Sequence, residues 1–208
     1  MVSNGYKRNF YKKIICMDQG KLLDRIRQGD QNAFRQIVEA YYPMVLKTSN
    51  GFVHNEEDAQ DISQDVFLEV YRSVQKFRGD SEVSTWVYRI AVNKSLNFIR
   101  SKKRKQYWGS MEMITGRLAA SDQSLANNPG DSPDNPENKE RKEILYNSID
   151  SLPKNQRIAF TLNKINEMSY KEVAAVMDVS LPSVESLIHR ARKNLQKKLF
   201  RYYEKKIK

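Results

Sequence analysis

The sequence predicts an all-α protein of two helical domains joined by a flexible linker. Three observations carry that expectation. Apolar residues recur at steps of three and four over most of the chain, the spacing of one helix face. Between 106 and 140 that pattern collapses, and Ala126-Asn127-Asn128-Pro129-Gly130-Asp131-Ser132-Pro133-Asp134-Asn135-Pro136 is linker chemistry with three prolines. Beyond the linker, Ser169-Tyr170-Lys171-Glu172 reads as a capping box and introduces two short helices across a tight turn. The expected organisation is a disordered basic extension over 1–16, a first helical domain over 17–105, the linker over 106–140 and a second helical domain over 141–208.

Composition narrows the function classes. The 208 residues carry a net charge of +11 and a pI near 9.6, with mean hydropathy -0.73 and 29% charged residues. That length accommodates one large domain or two of ordinary size, but not the profile of a compact apolar enzyme. Such charge points to nucleic acid or to an anionic membrane surface. No apolar run approaches the roughly 20 residues of a membrane span, and the basic N-terminus lacks the apolar segment of a signal peptide. A cytoplasmic protein without direct membrane insertion is expected. Cys16 is the single cysteine, which excludes an internal disulfide and argues against a cysteine zinc site.

Residues 1–16 are basic, with Lys7, Arg8, Lys12 and Lys13, and lack a periodic apolar set. Met17 directly precedes a well-patterned helix and competes with Met1 as the start. Leu22, Leu23 and Ile26 fit one helix, which Gly29-Asp30 stops. Ala33, Phe34, Ile37, Val38 and Tyr41 give a second stripe running toward Pro43, and Val45, Leu46 and Phe52 continue helical more weakly. Asn55-Glu56-Glu57-Asp58 is an acidic helix start, in the sense the macrodipole favours. Along that helix Ile62, Val66, Val70 and Val74 face one way, while Asp58, Asp61, Asp65 and Glu69 form an acidic stripe in an otherwise basic chain. The stripe reads as a docking face for a basic partner, as a metal site with His54 nearby, or as a solvated helix face. No second carboxylate cluster closes a coordination shell.

The stretch from Phe77 to Lys105 carries the densest chemistry. Arg78-Gly79-Asp80-Ser81 is a short polar loop, and Ser84 sits where a helix N-cap belongs. Wound at helical pitch, Trp86 to Arg100 separates into two faces. Val87, Ala91 and Phe98, flanked by Tyr88, Val92 and Ile99, form a broad apolar side. Trp86, Arg89, Asn93, Asn97 and Arg100 recur on the opposite side. A solvated helix face more often carries Glu and Lys. An indole, two amides and two guanidiniums suit nucleic acid, as a surface for stacking an unpaired base, groups for base edges and partners for phosphate. Lys102-Lys103-Arg104-Lys105 follow where the macrodipole favours cations. A partly buried Trp on a solvated basic helix is the competing reading.

In the second domain Ile144, Leu145, Ile149 and Leu152 form a stripe ending at Pro153, and Ile158, Leu162 and Ile165 form the next. The helix after the capping box carries Val173, Ala174, Val176 and Met177. The turn Asp178-Val179-Ser180 follows, and Pro182 falls in the first turn of the last helix, where its missing N–H is harmless. There Val184, Leu187, Ile188, Ala191 and Leu195 pack inward. This is the layout of a helix-turn-helix, or of a plain helical hairpin. Outward residues Ser183, Glu185, Ser186, His189 and Arg190 on the early turns, followed by Arg192, Lys193, Lys197, Lys198 and Arg201, favour DNA reading.

Taken jointly, in order and spacing, these residues resemble the bacterial sigma factors. Asp58-Ala59-Gln60-Asp61-Ile62-Ser63-Gln64-Asp65-Val66-Phe67, then Phe77-Arg78-Gly79-Asp80-Ser81, then Thr85-Trp86-Val87-Tyr88-Arg89-Ile90-Ala91-Val92-Asn93 resemble that family's regions two-point-one to two-point-four. Leu152-Pro153 with Arg157, and Ser183-Val184-Glu185-Ser186-Leu187-Ile188-His189-Arg190-Ala191-Arg192, resemble region four. With only these two domains and a linker, the chain is similar to the small extracytoplasmic-function (ECF) branch. The resemblance covers roughly Leu22 to Lys105 and Arg141 to Leu199; residues 1–16 have no counterpart in it.

The resemblance implies an N-terminal helical bundle of sigma region 2 type and a C-terminal helix-turn-helix of region 4 type. It implies a transcription initiation factor that brings the RNA polymerase core to specific promoters. Asp58, Asp61, Gln64, Asp65 and Leu68 would dock on the clamp helices of the core. Arg78, Asp80 and Ser81 would hold a base flipped from the minus-ten element. Trp86, Arg89, Asn93, Asn97, Arg100, Lys102, Lys103 and Arg104 would line the melted strand, and Ser183, Glu185, Ser186, His189, Arg190 and Lys193 would read the minus-thirty-five element as duplex. Relatives often carry a basic residue at the position of Glu185; a glutamate there would accept from a cytosine amine. The family also implies an anti-sigma factor as a partner. It implies no catalytic residue, cofactor or metal: base pockets and phosphate contacts offset unpairing and unstacking, and the polymerase does the chemistry. Two other classes compete. A free-standing helix-turn-helix regulator would leave the acidic stripe unexplained, and a metal-dependent nuclease using Asp58, Asp61 and Asp65 would need a second carboxylate cluster.

Overall fold

The computed structural model describes residues 19–114 and 136–207, and every regular element among them is a helix. The basic extension and most of the linker lie outside the described residues. Helices α1 (Gln19–Arg27), α2 (Gln31–Val53), α3 (Glu56–Ser73) and α4 (Val83–Ile114) form the first module, with a 3-10 turn at Val74–Lys76. Helices α5 (Pro136–Asp150), α6 (Lys154–Lys164), α7 (Tyr170–Met177) and α8 (Leu181–Ile207) form the second. No described helix is long and apolar enough to cross a membrane.

Local chemistry explains the boundaries. Gly29 takes φ 88, a left-handed conformation that ends α1 without a Cβ clash. Asp30 caps α2 by accepting from the N–H groups of Asn32 (2.8 Å) and Ala33 (3.1 Å). Those N–H donors, first that of Ala33, and the Arg25 guanidinium hold its carboxyl below the ordinary range. Pro43 does not end α2, which runs through to Val53. Pro43 and Glu39, four residues back, are both exposed, so the carbonyl that loses its intrahelical donor faces water. Asn55 caps α3 through the Asp58 N–H at 2.8 Å. Ile62, Val66, Val70 and Val74 are all buried.

Helix α4 departs from expectation at both ends. It begins at Val83, one residue ahead of Ser84, because Val83 is buried and anchors the first turn. Ser84 Oγ donates instead to the Glu82 carboxylate at 3.3 Å, while the Trp86 N–H reaches the Glu82 carbonyl. It continues past Lys105 to Ile114 because Lys, Arg and Gln there are good helix formers with no proline to stop them.

The second module is thinner. Ile149 and Leu152 pack with Ala191 and Leu195, whereas Leu145, expected on the same stripe, is 40% exposed. Helix α5 meets α8 along a narrow strip, and Tyr146 takes the flanking place. The capping box is complete: Ser169 Oγ accepts from the Glu172 N–H, and the Ser169 N–H reaches the Glu172 carboxylate at 2.7 Å. Ser169→Ala should therefore lower stability by about 1 kcal/mol. A urea midpoint unchanged from wild type would show the cap to be redundant.

The two modules share one apolar cluster running from Leu22 through Ile158, Leu162, Val173 and Val176 to Ile188. Helix α2 meets α6 and α4 meets α7. Asn166 Nδ2 donates to Thr48 Oγ1 at 2.8 Å, and Arg157 donates to the Phe52 carbonyl at 2.5 Å. This arrangement of the modules is not legible in the sequence.

Candidate nucleic-acid interface

Burial of Val87, Tyr88, Ala91 and Val92 fixes the rotation of α4 and turns its opposite side outward. Asn93, Asn97, Arg100, Lys103 and Arg104 are exposed along that side. Trp86 joins both readings of the sequence. It is half-buried, with its ring centroid 4.7 Å from that of Phe77 at a tilt of 33°, so Phe77 backs the indole while part of it stays accessible. Arg78 and Asp80 are exposed and Ser81 is half-buried, in a loop turned by Gly79 at φ 82. Arg27, which the sequence reading did not single out, fixes that loop: its guanidinium donates to the carbonyls of Phe77 (2.5 Å) and Val74 (3.2 Å). A basic residue closing a short amphipathic helix is too common a pattern to have marked it.

Two expected strand contacts are already engaged within the chain. The Arg89 guanidinium donates to the carbonyls of Ala175 (2.7 Å) and Val176 (3.3 Å), with the Asp178 carboxylate 3.8 Å away. The Lys102 ammonium lies 2.8 Å from Asp58 and 5.9 Å from the centre of the Phe98 ring. Both are long cations beside the nearest available anion or carbonyl. Each has a partner within the chain, although the Lys102 side chain stays 55% exposed.

The same pairing divides the acidic stripe on α3. Asp58 is held by Lys102, and Glu69 by Lys94 at 2.9 Å. The Lys94 hydrogen bond and charge hold the Glu69 carboxyl below its ordinary range. Asp61, Gln64 and Asp65 stay exposed, and Leu68 beside them is 52% exposed. The open part of the stripe is thus two carboxylates, an amide and an apolar side chain. His54 turns away from it: Nε2 lies 3.1 Å from Asp150, and the ring stacks on Tyr146 at 4.0 Å. Among the described residues no three His, Cys, Asp or Glu side chains converge as a metal site would require.

On α8, Val184, Ile188, Ala191 and Leu195 face the core, leaving Glu185, Ser186, His189, Arg190 and Lys193 exposed. Ser183 is half-buried, its hydroxyl 2.8 Å from that of Ser180 across the turn. Arg190 Nε donates to the Ser186 carbonyl at 3.2 Å, which aligns the guanidinium along the outer face. Asn194 Nδ2 braces the helix on Gln156 of α6 at 2.8 Å. The result is a rigid helix offering hydroxyl, carboxylate, imidazole and guanidinium groups to a groove.

Comparison with known proteins gives the same division. Residues 37–105 match the family profile of Sigma-70 region 2, and residues 142–195 that of Sigma-70 region 4. The ECF RNA polymerase sigma-E factor of Escherichia coli is 35% identical over 180 residues, covering 86% of this chain and 92% of the relative. The RNA polymerase sigma-H factor of Pseudomonas aeruginosa is 32% identical over the same shares. Among solved structures, CnrH in complex with the cytosolic domain of CnrY aligns with a TM-score of 0.59 at 24% identity, covering 86% of this chain and 94% of that one. The sigma factor RpoE of Bartonella quintana, in complex with the anti-sigma factor NepR, aligns at 0.52 and 20%, covering 80% and 96%. At those identities the two structures bear on the fold alone.

Proposed function

This chain belongs to the ECF sigma-factor family, and on that premise we propose how its residues divide the work of promoter recognition. It is a transcription initiation factor that directs RNA polymerase to promoters. Its own side chains do no bond chemistry, and it acts in the cytoplasm where the polymerase is. Asp61, Gln64, Asp65 and Leu68 contact the clamp helices of the core, with Asp58 joining once Lys102 is drawn to DNA. Arg78, Asp80 and Ser81 receive a flipped minus-ten base. Trp86, Arg89, Asn93, Asn97 and Arg100, with Lys102, Lys103 and Arg104, line the separated strand. Ser183, Glu185, Ser186, His189, Arg190 and Lys193 read the minus-thirty-five duplex. CnrH and the Bartonella RpoE were each solved with a protein partner; we infer an inhibitory protein partner of the anti-sigma kind for this chain as well.

The observation that carries the strand assignment is Trp86 propped on Phe77 at the head of a face that continues through exposed Asn93, Asn97 and Arg100. A backed aromatic loses little entropy when a base stacks on it. The overall test is transcription with purified core on a fragmented genomic library. Promoter-specific starts that need this protein support the assignment, and failure to bind core ends it.

Trp86→Ala should impair strand opening by about 1–3 kcal/mol, the worth of one base stacked on an aromatic ring. Closed-complex formation should be little changed; an equal loss in both steps would reassign Trp86 to the core. Arg190→Ala should weaken binding to a minus-thirty-five duplex by about 1–3 kcal/mol and relax its sequence preference. The same loss on random duplex DNA would make Arg190 a phosphate contact instead.

A further inference from the structure

Resting on that promoter reading, we propose that Arg27 of α1 is a positioning residue for minus-ten recognition, holding the base-receiving loop and the Trp86 platform in one geometry. Helix α1 lies ahead of the stretch that matches the Sigma-70 region 2 profile, which begins at residue 37. Leu22, Leu23 and Ile26 seat it in the core of the first module. Arg27 is its last residue, and every guanidinium nitrogen is engaged. Nε donates to the Val74 carbonyl at 3.2 Å, Nη2 to the Phe77 carbonyl at 2.5 Å, and Nη1 to the Asp24 carboxylate at 2.6 Å. The clasp is returned from the other side, where Gln75 Nε2 donates to the Arg27 carbonyl at 2.9 Å. A planar fork bound at three points keeps one orientation.

The loop beside it has little else to hold it. Among the described residues no hydrogen bond or ion pair reaches Arg78, Gly79, Asp80 or Ser81 themselves. Their path is therefore set from the two ends. At the far end Val83 is buried, and the Glu82 carbonyl accepts from the Trp86 N–H at 3.1 Å in the first turn of α4. At the near end the anchor is the Phe77 carbonyl, and Arg27 binds it.

Phe77 is also where the two base sites meet. Its carbonyl leads into the loop, while its ring props the indole of Trp86 at 4.7 Å between centroids. Freeing that carbonyl loosens both sites at once. A loop and a ring that must be ordered as the strand arrives take that cost out of binding. Residues farther along α4, such as Asn97 and Arg100, stand on a continuous helix and do not depend on this corner.

An abasic scan tests the assignment. Holoenzyme assembled from core and the full-length protein is titrated with a forked template from a mapped start site. Each minus-ten base of its unpaired strand is removed in turn. Wild type should lose about tenfold at the position held by the loop and at the one stacked on Trp86, within the worth of a base on an aromatic ring. Asp80→Ala and Trp86→Ala assign those two positions. Arg27→Ala should shrink both penalties to about twofold, leaving unchanged those at positions facing Asn97 and Arg100 and the binding of intact minus-thirty-five duplex. Arg27→Lys, a point donor that meets one carbonyl and not both, should fall between. Gln75→Ala should move the same two positions by less. It decides the matter if circular dichroism shows Arg27→Ala misfolded, and no shift in it then overturns the proposal. Wild-type penalties at both positions in a folded Arg27→Ala also overturn it. So does an equal fall at every position, which would make Arg27 a prop of the whole module. Failure of the promoter reading looks different: the wild type itself would give no mapped start and no position-dependent penalty, and the proposal would fall with it.

Discussion

Arg157→Ala is expected to lower the unfolding free energy by about 3 kcal/mol, the low end of the cost of breaking a buried ion pair. Three contacts are lost at once. The guanidinium donates to the Phe52 carbonyl at 2.5 Å, pairs with Asp150 at 2.7 Å and lies 5.9 Å from the centre of the Phe52 ring. Burial pushes the guanidinium pKa down, and the Asp150 charge opposes that shift. Asp150 keeps about a third of its side chain in water and retains His54, so its stranded carboxylate is partly solvated and the loss stays below the upper bound. Arg157→Met separates charge from packing, because it keeps the apolar stem. Combined with Asp150→Asn it should recover part of the loss, since both charges and their desolvation leave together. Urea unfolding of the three variants checks this. A loss under about 1 kcal/mol for Arg157→Ala would mean that the pair does little more than offset its own desolvation.

Arg157 also marks the limit of what the sequence discloses. The helices were legible because their signals are local: Gly29-Asp30 as a stop, the acidic start at Asn55 to Asp58, the Ser169–Glu172 box, and stripes such as Ile62, Val66 and Val70. Where local signals misled, a tertiary contact had won. Val83 pulled the start of α4 forward, and the narrow contact of α5 with α8 left Leu145 outside. The chemistry of the α4 face was legible too, as a residue set at helical spacing. Its engagement was not. That Arg89 meets the end of α7, that Lys102 meets Asp58, and that His54 serves Asp150 rather than the acidic stripe are pairings across 44 to 96 positions of chain. No periodicity within one helix encodes them. At the contact between the modules Gly51 carries a usable signal, since a glycine inside a helix invites the question of what approaches it, and a Cβ there would stand 3.1 Å from Ile165 and Thr161.

Reversing two charges on α3, Asp61→Lys with Asp65→Lys, should weaken association with core polymerase at least about a hundredfold, or roughly 3 kcal/mol. Both carboxylates are exposed and have no ion pair among the described residues. They are therefore available to a partner, unlike Asp58 and Glu69, which Lys102 and Lys94 already hold. Each substitution replaces an attraction by a repulsion, and like charges meeting across an interface cost several kcal/mol. The fold should tolerate the change. The new cations would stand four residues from Glu57 and Glu69, a spacing that favours opposite charges on a helix, and exposed substitutions of this kind stay within about 0.5 kcal/mol. The effect should be strongest at low ionic strength and shrink as salt screens the exposed charges. Leu68→Ala offers a contrasting arm: its loss of association, from apolar area alone, should be smaller and nearly independent of salt. Titration of labelled protein with core at two salt concentrations reads all three. Unchanged association in the double variant, with the helical circular dichroism intact, would return the stripe to solvent and leave the docking face to be found elsewhere on the molecule.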